Sequence, residues 1–139
     1  MKNTYFLDTS YIIALEIKNE DNHQFVLHNW QTLATSQPFL VTTTYIFDEV
    51  VTFLNSRKLH QKAVEIGNRL LESPDIELIE INQNLFNQGW QYFQKYQDKS
   101  YSLTDCLSFI VMENRQIYTA LTLDNHFQQA GFNILPANI

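Results

Sequence analysis

"TYFLDTSYIIALEIK", residues 4–18, changes its hydrophobic pattern halfway along. The first part, "TYFLDTS", reads as a short buried strand that ends at Asp8. Thr9 or Ser10 is then placed to cap a helix through "YIIALEIK". The same alternation runs to the end of the chain. "NHQFVLHNWQTLAT" carries Phe25, Val26, Leu27, Trp30 and Leu33 at helical spacing, and "PFLVTT" reads as a second strand after Pro38. "TYIFDEVVTFLNS" is a helix with Phe47, Val50, Val51 and Leu54 on its apolar side. "HQKAVEIGNRLLES" is an amphipathic helix stopped near Pro74, and "IELIEI" alternates as a strand does. "NLFNQGWQYFQKYQ" is helical with Gly89 inside it. "YSLTDCLSFIVMEN" is a helix capped by Ser102 or Thr104. "IYTALTLD" is a strand, "NHFQQA" a short helix ended by Gly131, and "FNILPA" a last strand. Strands that alternate with helices predict an α/β fold, with a mostly parallel central sheet and helices on both faces. No repeat or linker interrupts the pattern, so one domain over residues 1–139 is expected.

Composition narrows the class. The 139 residues are 45% hydrophobic, enough for a single core, with only three glycines and three prolines. One cysteine, Cys106, excludes an intrachain disulfide framework and reads as a small core hydrophobe. "MKNTYFLDTS" reaches a charge too early for a signal peptide, and no run approaches the roughly 20 apolar residues of a membrane span. A soluble, cytoplasmic protein is expected. The net charge of -6 argues against a general nucleic-acid binder. It is compatible with carboxylates gathered to hold cations.

Four acids fit a wet surface poorly. In open α/β sheets, ligands bind beyond the carboxyl ends of the strands. Asp8 and Asp124 stand at two such ends, although Asp also caps helices and forms turns routinely. Asp105 heads an apolar run and shares a helix face with Phe109 and Met112. A buried carboxylate without a partner tends to protonate, and a cation against it removes that penalty. Of the adjacent pair at 48 and 49, Asp48 lies on a polar face with Thr44, Thr52 and Asn55. Glu49 falls between Tyr45 and Phe53, so Glu49 is the candidate, unless its long stem simply reaches water. Hard oxygen donors without paired His or Cys favour Mg²⁺ or Mn²⁺ over zinc.

Taken in order, "FLDTSYIIAL", "TTYIFDEVVTFL", "YSLTDCLSFIVMEN" and "ALTLDNHFQQAGFNIL" resemble the PIN-domain family, and within it the VapC-type toxin ribonucleases. The resemblance covers nearly the whole chain. It implies a parallel sheet with helices on both sides and metal-dependent endonucleolytic cleavage, usually of RNA. By position it places the family's four acids on Asp8, Glu49, Asp105 and Asp124, as catalytic and metal-binding residues for Mg²⁺ or Mn²⁺. It makes Thr9, Thr122 and Asn125 candidates for orienting those acids. It also implies a cognate antitoxin partner and a homodimer.

The remaining features are read against this frame. "NSRKLHQK", with Arg57, Lys58 and Lys62, is either an RNA contact or a solvated helix start. His126 is expected in a packing or surface role. The aromatic stripe from Leu85 through Tyr96 is core or a dimer face. An aspartate-nucleophile phosphotransferase needs a second acid two residues after the first, where Ser10 stands. A non-catalytic PIN-like scaffold that binds RNA or protein is the remaining rival.

Overall fold

The computed structural model describes residues 3–137, so the last positions at each end of the expected 1–139 domain lie outside the described residues. Every strand and helix read from the alternation is present. In chain order they are β1 (Thr4–Leu7), α1 (Thr9–Glu16), α2 (His23–Ala34), β2 (Phe39–Thr43), α3 (Thr44–Ser56) and α4 (His60–Glu72). They continue as β3 (Ile76–Ile79), α5 (Gln83–Lys95), α6 (Leu103–Arg115), β4 (Thr119–Leu121), α7 (Asn125–Gln129) and β5 (Asn133–Leu135).

The five strands form one wholly parallel sheet in the order β3-β2-β1-β4-β5. The chain first steps from β1 outward to β3, then returns past β1 to β4 and β5. Right-handed crossovers in opposite directions put the two sets of helices on opposite faces. Thus α1 to α4 pack among themselves, as do α5 to α7. The reversal falls between β1 and β4, and a crevice opens there beyond the strands' carboxyl ends.

One helix start and one strand end differ from the sequence expectation. The N-cap of α1 is Asp8 itself, not Thr9 or Ser10, and the Asp8 side chain makes no capping bond. Strand β4 ends at Leu121, so Asp124 is not a strand end but the N-cap of α7. The cap of α6 is Ser102, one of the two expected.

The core beneath the crevice is aromatic. Phe6, Phe109 and Phe127 are fully buried. Phe109 meets Phe127 edge-on at 5.0 Å between centroids, and Phe127 lies 6.1 Å from Phe6. These contacts join α6, α7 and β1. The α5 stripe divides between its two expected roles. Leu85, Tyr92 and Tyr96 pack on the core, whereas Trp90 and Phe93 stack on each other at 5.4 Å and stay exposed. Cys106 is fully buried, as expected of a core residue. Among the described residues no helix is long and apolar enough to cross a membrane.

Gly89 lets α5 approach α6. A Cβ there would sit 2.9 Å from Cγ of Leu107, which is fully buried and has little room to turn. At an ordinary helix position Gly→Ala stabilises by about 1 kcal/mol. Here overpacking should reverse the sign. Gly89→Ala is expected to destabilise by about 1–3 kcal/mol in urea unfolding followed by circular dichroism.

Candidate active site

One cleft of about 600 Å³ opens at the crevice, and Asp8, Glu49, Asp105 and Asp124 all line it. Each arrives by a different local route. Asp8 leaves the end of β1, next to its neighbour β4. Glu49 lies in the second turn of α3, which starts directly from β2. Asp105 is in the first turn of α6, and Asp124 caps α7. Asp48 stays exposed and accepts a hydrogen bond from Thr52, so the geometric sorting of the acidic pair holds.

Each carboxylate is oriented through one of its oxygens. Asp8 Oδ2 accepts from the hydroxyls of Thr122 at 2.7 Å and Ser10 at 2.9 Å. Glu49 Oε1 accepts from Thr9 at 2.6 Å. Asp105 Oδ2 accepts from the Ser102 backbone N–H at 3.1 Å and from His126 Nδ1 at 2.9 Å. Asp124 Oδ1 accepts from the His126 backbone N–H at 2.9 Å. The second oxygen of each acid takes no hydrogen bond among the described residues. A hard divalent cation fits this donor set. Donor atoms of Asp105, Asp124 and His126 lie within 4.8 Å of one another, close enough to share one ion.

Asp105 has a local reason to stand among apolar neighbours. It completes a capping box with Ser102, whose hydroxyl accepts from the Asp105 backbone N–H at 3.0 Å. That explains an acid at the position. It does not explain the acids brought alongside.

Crowding and burial disfavour ionisation here. Burial pushes the Asp8 pKa up to about 6; the Thr122 and Ser10 hydroxyls oppose the rise, and Asp105 and Asp124 add to it. The Asp105 pKa is also raised, again mainly by burial, against the Ser102 N–H and His126.

Some functional positions were not legible as such. Ser10 donates to Asp8, accepts from the Leu123 N–H at 2.9 Å and lies 3.1 Å from the Thr122 hydroxyl. His126 does pack against Tyr101, at 5.4 Å, yet its Nδ1 also reaches Asp105 inside the cleft. Glu20 and Asp21 enter the cleft wall from the loop between α1 and α2, with no local pattern to mark them. Asn125 is exposed and does not line the cleft, and its side chain makes no hydrogen bond among the described residues. Arg57 and Lys62 line an adjoining groove, and Lys58 lines neither.

Comparison with known proteins agrees with this geometry. The family profile described as PIN domain matches residues 5–133. The 23S rRNA-specific endonuclease VapC20 from two strains of Mycobacterium tuberculosis is 30% identical over 127 residues, covering 91% of this chain and 94% of its own. The crystal structure of that organism's VapC20, described as a Sarcin-Ricin loop cleaving toxin, superposes with a TM-score of 0.83 at 28% identity. That match covers 92% of this chain and 95% of the other. VapBC2 from Rickettsia felis, solved with a DNA fragment from its promoter, matches at a TM-score of 0.67 and 14% identity over 94% of this chain and 96% of its own, a likeness of fold alone.

The raised pKa of Asp8 fixes the sign of a pH effect. An acid whose pKa is higher folded than unfolded holds its proton more tightly in the fold. Between about pH 4 and 6 the folded chain then binds more protons, so stability falls as pH rises through that window. Asp8→Asn removes the charge and the effect. In chelator, Asp8→Asn should match the wild type near pH 4 and exceed it at pH 8 by about 3 kcal/mol, a shift of roughly two pKa units. Urea unfolding at both pH values measures the gap. A constant gap would refute the buried-charge account.

Proposed function

We propose, from the premise that the chain belongs to the PIN-domain family, that it is a metal-dependent endoribonuclease and the toxin of a toxin–antitoxin pair. Its substrate on this reading is ribosomal RNA of the large subunit, and its place of action the cytoplasm. One observation carries the reading: four carboxylates from separate segments line one cleft, each with one oxygen held and one free. The likeness to a 23S rRNA-specific endonuclease over nearly the full length of both chains supports the substrate class. The whole of residues 1–139 is then one nuclease domain.

The roles follow from position. Asp8 and Asp105 are the first choices as direct ligands of Mg²⁺ or Mn²⁺, with Asp124 next. Glu49 binds the same ion or orients a water beside it. When bound, the divalent ion supplies Lewis acidity toward the phosphate and lowers the pKa of water to make a nucleophile. Thr122 and Ser10 hold the Asp8 carboxylate in one rotamer, and Thr9 does the same for Glu49. His126 fixes Asp105 against Asp124. No side chain here is suited to attack phosphorus itself. The Ser10 hydroxyl proton is committed to Asp8. The Cys106 thiol is buried and pushed up to about 11. Water is the remaining nucleophile. A non-catalytic scaffold has no use for acids such as Asp8 and Asp105, whose ionisation burial disfavours.

Two partners belong to the same reading. An antitoxin is implied by the likeness to a protein described as a toxin. A homodimer is implied by the family and has an apolar surface available in Trp90 and Phe93.

Purified protein is expected to cleave 23S rRNA in Mg²⁺ or Mn²⁺ and to stop in EDTA, read by primer extension. Loss of an outer ligand partner typically reduces metal affinity or activity about 10–100-fold, the range expected for Thr122→Val. Asp8→Asn and Asp105→Asn should each exceed about 100-fold. Cleavage that persists in EDTA, or in either Asn variant, would remove these roles.

A further inference from the structure

Beside the acidic cleft lies a second groove of about 620 Å³. Its walls are the loop after α1 and the turn between α3 and α4, and it shares Phe53 and Glu20 with the acidic cleft. The two are therefore contiguous, with Phe53 as the common wall. Three of the chain's nine basic residues, Lys18, Arg57 and Lys62, line this groove.

Elsewhere Arg115 is bound in a two-pronged ion pair by Glu77, and Arg69 by Glu16. Lys18 and Arg57 have no carboxylate partner among the described residues. Lys62 reaches Glu16 only at 3.6 Å, and that carboxylate is already held by Arg69 at 2.9 and 3.0 Å. Arg57 is nevertheless positioned, because its guanidinium lies 4.6 Å over the Phe53 ring. A chain of net charge -6 thus sets two cations without a carboxylate partner, Lys18 and Arg57, beside its most acidic cleft, in a groove that Glu16 and Glu20 also line.

We propose that this groove is a subsite for the phosphodiester backbone of the substrate RNA, with Lys18, Arg57 and Lys62 as its phosphate contacts. The proposal rests on the ribonuclease reading and deepens it. A strand with its scissile phosphate at the acids must continue past the cleft. The groove that opens past Phe53 offers it three cationic side chains. Lys58 takes no part: it sits in the turn at φ +62°, exposed, outside the groove. The groove therefore singles out two of the three residues in the basic stretch and adds Lys18 from a distant loop.

The test compares wild type with the triple variant Lys18→Gln, Arg57→Gln, Lys62→Gln. Fluorescence anisotropy of a labelled single-stranded RNA oligonucleotide in EDTA reads binding without cleavage. Each lost phosphate contact lowers the slope of log K against log salt by about 0.7 for single strands, so the triple variant should lose about 2. Lys95→Gln, a change of like charge on α5 outside both clefts, should leave the slope unchanged. In steady-state cleavage of 23S rRNA with Mn²⁺, KM should rise about 10-fold or more in the triple variant while kcat is kept. Circular dichroism confirms the fold, and the three single variants share the loss if it does not. Equal slopes and equal KM overturn the subsite while leaving the ribonuclease reading intact, whatever the variant does to a protein partner. Absence of any cleavage by wild type in Mn²⁺ defeats the ribonuclease reading, and the slope still decides whether the groove binds RNA.

Discussion

Like charges repel, and the architecture of this protein depends on what holds them together. Two unit charges 4 Å apart near a protein surface repel by about 4 kcal/mol. The opposing force comes from directly below the cleft. Phe6 precedes Asp8 by two residues, Phe109 follows Asp105 by one turn, and Phe127 follows Asp124 by three residues. All three rings are fully buried, with Phe127 in contact with both of the others. Burying a large apolar side chain contributes about 1.5–3 kcal/mol, and an aromatic pair about 0.5–1.5 more. These terms oppose the repulsion. The apolar clamp and the acids are set in the same short segments, so the packing that forms the core also presents the site.

Polar ties complete the assembly above that clamp. The Thr9 hydroxyl joins α1 to Glu49 of α3. Thr122 and Ser10 join the turn after β4 to Asp8 at the end of β1. His126 joins α7 to Asp105 of α6. The links run around the crevice, and each occupies one face of a carboxylate. The second oxygen of each acid takes no hydrogen bond among the described residues. Burial, with the charges of Asp105 and Asp124, raises the Asp8 pKa.

Charge also differs between the two hollows. Six acids and no lysine or arginine line the main cleft, whereas Lys18, Arg57 and Lys62 line the adjoining groove alongside Glu16 and Glu20. On the proposed ribonuclease reading, a divalent ion would supply positive charge at the scissile phosphate, so arginine or lysine would not be needed there. Basic groups would be of use only where the strand runs on, which reconciles an acidic net charge with that reading.

Order and type of the elements were legible from sequence because helix and strand periodicity, Ser102 capping and the switch at residues 4–18 are interactions among near neighbours. The separation of Glu49 from Asp48 was legible for the same reason, since residues one turn apart share a face. The start of α1 was not, because Asp8, Thr9 and Ser10 compete for the cap with similar chemistry; nor was the end of β4, which stops at Leu121 short of Asp124. Only the tertiary structure decided that four acids share a cleft, that Ser10 and His126 serve them, and that Lys18 joins Arg57 and Lys62 while Lys58 does not. Those facts depend on contacts such as Thr122 with Asp8, 114 residues apart. A chain writes its local periodicity in consecutive letters, but a meeting of distant segments is set by strand order and packing.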